Sequence, residues 1–125
     1  MQIVAEQNNV RQSSRKVRLV ANQVKKLSLK EAVAQLAAME RRSSIVILKV
    51  IKQAVANATK NNGLAVDDLV LRDIAVADGM IMKRMRAVSR GRGHRIEKRT
   101  CHVRVVLENK QKETVAPAAT EEGKK

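Results

Sequence analysis

The side chains with the clearest chemistry lie between Lys83 and Arg99, a stretch that we call the basic segment. It holds eight lysine or arginine residues, one acid (Glu97), two glycines and no aromatic residue. Cations at this density repel one another and leave little apolar surface to bury, so the segment cannot build a core of its own. Nucleic-acid phosphate is the usual partner, because each neutralised phosphate releases condensed counterions. The sequence therefore predicts a phosphate-binding element, and a solvated run of charges is the alternative.

A second group of cations comes earlier, in a stretch that has no acid between Glu6 and Glu31. Valines at helical spacing predict a helix over residues 14–26 with a positive outer face, and the serines at its start can cap it. An exposed polar helix face without a partner is the alternative. The candidate binding residues of this group are Arg11, Ser13, Arg15, Lys16, Arg18 and Lys25.

The composition of the chain restricts the classes of molecule that it is expected to bind. The net charge of +14 and the pI near 10.8 indicate a nucleic acid or an anionic membrane. A membrane is disfavoured, because no apolar run approaches the ~20 residues that span a bilayer. The chain has no Phe, Tyr or Trp. Its core must therefore be aliphatic, and its binding must use phosphate, sugar and shape instead of bases stacked on aromatic rings.

Enzyme chemistry finds little support in the sequence. Cys101 and His102 are neighbours on a predicted strand, so their side chains point to opposite faces and cannot readily share a metal or act as nucleophile and base. No Cys/His cluster has zinc spacing, and the RGRG at residues 90–93 is not a Walker loop. We expect no catalysis, no metal and no cofactor. The single cysteine suits the reducing cytoplasm.

The remaining patterns predict the elements that position these cations. Ser28 and Glu31 form a capping box that opens a second helix, ending near residue 39. The predicted elements besides the two helices already named are a strand over residues 2–9, a helix over 41–61, and strands over 69–77 and 101–107. The strand at 69–77 changes phase, which indicates a bulge or a strand covered on both faces. Residues 109–125 lack any period and are predicted to form a disordered tail.

The basic segment separates the last two strands, which predicts an antiparallel hairpin. Residues 101–107 alternate cleanly between apolar and other side chains. About ten extended residues in each arm would project the hairpin ~30 Å beyond the body. Gly91 and Gly93 are the predicted turn positions.

Four blocks of residues together resemble the family of bacterial large-subunit ribosomal protein twenty-two. The resemblance covers about residues 10–108. Its blocks are residues 13–21 (SSRKVRLVA), residues 54–58 (AVANA) with Asn61 and Gly63, Met82-Lys83-Arg84 followed by Arg90-Gly91-Arg92, and residues 95–100 (RIEKRT) with His102. Each block alone is weak, whereas four in this order and spacing are specific.

The resemblance implies one α+β domain over residues 1–108, with three helices on a three-stranded antiparallel sheet and a hairpin at about 79–100. It implies binding to 23S-type rRNA, a role in assembling the large subunit, and a hairpin that lines the nascent-peptide exit tunnel. The expected partners are rRNA, neighbouring large-subunit proteins and the nascent peptide. We expect neither a membrane partner nor a homo-oligomer.

The hairpin carries most of the expected contact residues. Those for rRNA are Lys83, Arg84, Arg86, Arg90, Gly91, Arg92, Arg95, Lys98, Arg99 and His102. The expected tunnel tip consists of Arg86, Ala87, Val88, Ser89, Arg90, Gly91, Arg92 and Gly93. Ala87 and Val88 stand where the family commonly has Pro and Arg, and Met80 replaces a second frequent Pro, which loosens the φ restraints there.

Two other classes of binding protein remain as alternatives. The first is an architectural DNA-binding protein whose β-arm inserts an apolar wedge, here Met85 or Val88, into the minor groove. Such proteins are usually dimers, and no self-complementary apolar surface is evident. The second is an RNA chaperone that acts through disorder, which the helix caps and the regular strand at 101–107 disfavour.

Overall fold

The computed structural model describes residues 1–110, which form three helices and one antiparallel sheet. The elements are β1 (Gln2–Val10), α1 (Ser14–Val24), α2 (Leu29–Ala38), α3 (Arg42–Asn62), a single 3₁₀ turn (Val66–Asp68), β2 (Leu69–Ala87) and β3 (Gly93–Asn109). The strand order is β1-β3-β2, so β3 is central. This architecture confirms the predicted α+β class. The prediction of a disordered tail falls mainly on residues 111–125, which lie outside the described residues.

The helix boundaries follow the caps that the sequence contains. The Glu31 amide donates to Ser28 Oγ over 3.4 Å and the Ser28 amide donates to Glu31 Oε2 over 3.2 Å, which confirms the capping box. Helix α3 ends where Gly63 takes the left-handed conformation. Helix α1 ends at Val24, two residues before the predicted end. Ser13 is its N-cap residue, but the Ser13 side chain makes no capping bond.

An aliphatic core lies between the helices and one face of the sheet. On β3, Cys101, Val103, Val105 and Leu107 are all completely buried, as their alternation predicts. The helices contribute the other large buried side chains, which include Val17, Val20, Val24, Leu36, Ile47 and Ile51. Because aliphatic side chains fill the space without polar atoms, this body is stabilised mainly by burial of apolar surface.

Two irregularities interrupt the ladder between β2 and β3. The first, between Leu71 and Asp73, confirms that the phase change in the sequence marks a bulge. The second, between Asp78 and Ile81, surrounds Gly79. A Cβ on Gly79 would lie 2.6 Å from Thr100 Oγ1, so only glycine allows this approach of the two strands. The second irregularity is the junction between the body and the hairpin.

Beyond this junction β2 and β3 continue as a two-stranded hairpin, which we call the arm (residues 81–99). Nine residues of β2 follow Asp78, close to the ten per strand that the sequence predicts, and at ~3.3 Å per residue they span ~30 Å. Arg90 and Gly91 both have positive φ and form the turn. The prediction of Gly93 as a turn residue is wrong, because Gly93 begins β3 opposite Ala87. Gly93 instead leaves room for Met85, whose Cγ and Sδ would lie 2.9 Å from a Cβ at this position.

Candidate nucleic-acid interface

The arm carries cations on both of its faces. Residues directly opposite in an antiparallel ladder share a face, and successive residues alternate between faces. The register pairs Met85 with Arg95 and Arg86 with His94. One face therefore holds Lys83, Arg95 and Arg99 with the acid Glu97, and the other holds Arg84, Arg86 and Lys98 with His94. A two-stranded arm with positive charge on both faces can neutralise anions on both sides at once.

Several cations of the body are paired with acids. The ion pairs there are Arg18–Asp78 (3.3 Å), Lys25–Asp73 (2.5 Å), Lys30–Asp67 (2.6 Å), Arg72–Glu108 (3.7 Å) and Arg104–Glu6 (3.1 Å). Lys25 holds the pKa of the Asp73 carboxyl below its usual value, chiefly through their hydrogen bond. Lys30 lowers the pKa of Asp67 in the same way. Many of the carboxylate side chains in the body thus form ion pairs with body cations.

The arm differs, because its cations lack such partners. Of its eight lysines and arginines, Arg99 alone has a carboxylate partner within the part of the chain that is described. Arg99 Nη2 lies 3.0 Å from Glu97 Oε2. Arg84 donates to the carbonyl of Lys83 over 2.8 Å, which leaves its charge uncompensated. Within the described residues the arm is therefore the densest run of unpaired charge, although body cations such as Lys26 and Lys49 also lack a carboxylate partner.

A cleft of about 900 Å³ lies where the arm meets the body. The first residues of α1 and α3 form one wall, and the base of the arm forms the other. The cations that line this cleft are Arg11, Lys16, Arg41, Arg42, Lys98 and Arg99. Glu97, the partner of Arg99, is the single acid among the lining residues. The cleft is therefore a second concentration of positive charge, continuous with the arm.

Arg41 and Arg42 are cleft residues that were not among those predicted from the sequence. They stand at the N-cap and first position of α3, whose first turn has no acid. A cation is unfavourable there, because the helix dipole places partial positive charge at the N-terminus. Two successive arginines at the start of a helix were therefore the feature of the sequence that could have indicated a binding role for these residues. Neither side chain has an ion pair within the described residues.

The predicted cations near α1 fall into three groups in the structure. Arg11 and Lys16 line the cleft together with Ser13. Arg18 and Lys25 point toward β2, where they pair with Asp78 and Asp73. Arg15 is exposed and does not line the cleft. The single positive face predicted for this helix is therefore divided, with one part open to a ligand and another part used to hold β2.

Asp78 connects the base of the arm to α1. Its carboxylate accepts a hydrogen bond from the hydroxyl of buried Ser14 and another from Arg18 Nη2. Arg18 also donates to the Val76 carbonyl through Nε and Nη2, over 3.2 and 3.1 Å. The Ser14 hydrogen bond, and after it that of Arg18, lowers the pKa of the Asp78 carboxyl. This network fixes the strand that leads into the arm against the body.

His102 has a partner on the neighbouring strand. Its Nδ1 accepts a hydrogen bond of 3.1 Å from the backbone amide of Asn9, which has a positive φ of 54°. This contact lies where the register of β1 against β3 shifts. The imidazole is half-buried, and its Nδ1 is committed to the structure of β1.

The two groups considered for catalysis, Cys101 and His102, are both engaged in the fold. Cys101 is completely buried in the core, and burial raises the pKa of its thiol. Within residues 1–110, His, Cys, Asp and Glu side chains form no group that could hold a metal ion. The helices in this range are too short or too polar to cross a bilayer.

A small aliphatic body that carries a cationic arm and a cationic cleft is typical of a structural protein that binds a polyanion. Comparison with known families refines this class, because the family model described as ribosomal protein L22p/L17e matches residues 5–108. The chain belongs to the ribosomal protein L22p/L17e family, whose members are structural proteins of the large ribosomal subunit. Family membership confirms the resemblance in the sequence and the expected cytoplasmic location in that subunit. It gives the DNA-binding alternative no support.

Proposed function

We propose that this chain binds 23S-type rRNA through its arm and its cleft, and that it supports assembly of the large subunit. The observation that carries the proposal is the distribution of unpaired cations. Seven of the eight arm cations have no carboxylate partner within the described residues, and they lie close together between Lys83 and Lys98. In the body, Arg18, Lys25 and Lys30 are paired with acids, and the unpaired cations are more widely spaced along the chain. Charges left without internal partners on two sides of a thin arm suit an environment of phosphates, where counterion release drives association.

The arm's length and tip support a place in the wall of the exit tunnel. Residues 86–93 lie ~30 Å from the junction and are held by a turn in which the Val88 amide donates to the Arg92 carbonyl over 2.9 Å. The tip presents small side chains (Ala87, Ser89, Gly91) beside Arg86, Arg90 and Arg92. We propose that the arginines bind rRNA while the small residues face the nascent peptide. Neighbouring large-subunit proteins would then contact the body.

Salt-dependent rRNA binding tests the first part of the proposal. The arm variant replaces Lys83, Arg84, Arg86 and Arg95 with Gln, and the control replaces the exposed body lysines Lys26, Lys49, Lys52 and Lys60 with Gln. Both variants lose four charges, so net charge alone cannot distinguish them. At ~0.7 released counterions per contact, the negative slope of log K against the logarithm of salt concentration should become shallower by about 3 for the arm variant and should change little for the control. Equal losses in the two variants would mean that the arm is not the binding element.

Cross-linking tests the position of the tip. A photoreactive amino acid at Ser89 is expected to cross-link to a stalled nascent chain in intact ribosomes, whereas the same group at Lys52 on α3 is not. Cross-links from Ser89 to rRNA alone would refute contact with the nascent peptide. Competition with duplex DNA distinguishes the alternative class, because an architectural DNA-binding protein would prefer the duplex over large-subunit rRNA at equal salt.

A further inference from the structure

The cleft is built from two parts of the molecule that the sequence keeps far apart. Arg41 and Arg42 approach it from the start of α3, and Lys98 and Arg99 approach it from the base of the arm. A ligand in this space therefore contacts the body and the arm at the same time.

The charge in the cleft is almost wholly uncompensated. Glu97 is engaged by Arg99 over 3.0 Å. The other five lining cations make no ion pair with a carboxylate in the described part of the chain, and they are Arg11, Lys16, Arg41, Arg42 and Lys98. Bringing five like charges around one space is unfavourable unless an anion occupies it, since their mutual repulsion rises as they converge. The cleft thus fits a ligand with several negative charges.

The size and lining of the cleft restrict the kind of anion. Its volume of about 900 Å³ is far more than a single phosphate requires, and pockets for drug-sized molecules have ~300–1,000 Å³. The lining has no aromatic ring on which a base could stack. Leu19 and Met82 also line the cleft, and their apolar side chains suit the faces of ribose rings. These features fit a run of sugar–phosphate backbone.

We propose that one continuous stretch of RNA backbone occupies the cleft and is held from both sides, by Arg41 and Arg42 on the body and by Lys98 on the arm. This inference rests on the proposed function and adds to it. The RNA segment joins the arm to the body, so binding sets the direction in which the arm projects. The cations of the two walls therefore act on the same ligand segment, and their contributions to affinity are coupled.

A double-mutant cycle measures this coupling. The variants are Arg42→Gln, Lys98→Gln and the double variant, and the probe is deproteinised large-subunit rRNA at a fixed salt concentration. Each single variant should bind several-fold more weakly and reduce the salt slope by about 1. Once one wall is lost the segment leaves the cleft, so the double variant should bind at least twofold more tightly than the product of the single effects. Arg42→Gln with Arg92→Gln in the turn is the control pair, and its effects should multiply.

The outcomes separate the inference from the proposed function. If wild-type protein binds the rRNA without salt dependence, the proposed function fails. Two results would refute the shared backbone segment and leave the proposed function standing. In the first, the arm variants weaken binding while Arg42→Gln does not. In the second, the effects of Arg42→Gln and Lys98→Gln multiply as in the control pair. In the absence of RNA, the shifts in unfolding midpoint of the two single variants should add up to the shift of the double variant. This result would exclude coupling through the fold.

Discussion

Replacing Gly79 with alanine tests how the arm is joined to the body. The new Cβ would lie 2.6 Å from Thr100 Oγ1 and 3.1 Å from the Thr100 carbonyl carbon. Thr100 is buried, and its hydroxyl donates to the Met80 carbonyl over 2.7 Å. Thr100 can move only by breaking that bond, at a cost of about 0.5–1.5 kcal/mol, or by parting the strands, which overpacking studies place at about 1–3 kcal/mol. We expect Gly79→Ala to lower the free energy of unfolding by about 2 kcal/mol.

Chemical denaturation followed by far-ultraviolet circular dichroism measures this change, since the chain has no Trp or Tyr to serve as a fluorescent probe. Part of the penalty arises from the Thr100 hydroxyl. Gly79→Ala should therefore cost at least ~0.5 kcal/mol less in a Thr100→Ala background than in the wild type. The contact with the Thr100 backbone persists in that background, so the rescue should be partial. A cost below about 0.5 kcal/mol in the wild type, or the same cost in both backgrounds, would refute the steric account of this junction.

Four further predictions concern the body and the arm. Ser28→Ala should remove the capping box and cost about 1 kcal/mol of stability, measured by denaturant unfolding, and no change would show that the cap is redundant. Ile51→Ala should cost about 2–5 kcal/mol, because Ile51 is completely buried and leaves a cavity; a loss below ~1 kcal/mol would contradict the packing. Lys25 lowers the pKa of the Asp73 carboxyl, so the ion pair stabilises the protein at pH values above the ordinary pKa of 3.8, and this stabilisation is lost as the pH falls through the lowered pKa. In acid titrations Asp73→Asn should therefore show less acid destabilisation than the wild type, and identical profiles would refute this role of the ion pair. In the free protein, amides of residues 81–99 should exchange with solvent much faster than those of residues 101–107, because no layer packs on the arm; equal protection would contradict this.

Local patterns predicted much of the fold. The alternation at residues 101–107 identified the central strand because one face of that strand is wholly buried, and side-chain period reports such burial directly. The capping box was predictable because both of its partners lie within four residues. The phase change near Leu71 likewise marked a bulge. Each of these signals is complete within a short window of sequence.

The features that sequence did not predict depend on distant residues. Arg18 and Lys25 stay predicted rRNA contacts, but the ion pair that each makes with an acid on β2, about 60 and 50 residues later, was not predicted. The cleft lies between the base of the arm and the first residues of α1 and α3, which are far apart in the sequence. Arg41 and Arg42 therefore acquire neighbours that no local pattern contains. Gly93 was misassigned because its small size serves Met85 across the ladder.

The central position of β3 has a mechanical consequence. The strand that returns from the arm enters the body between β1 and β2, with partners on both sides from Cys101 to Glu108. A pull along the arm moves β2 and β3 together, so it loads the row of hydrogen bonds between β3 and β1 in shear, and these bonds must break together instead of one at a time. Traction on the tip is resisted by the best-buried strand of the molecule, so the arm can bear force without unravelling the body that anchors it.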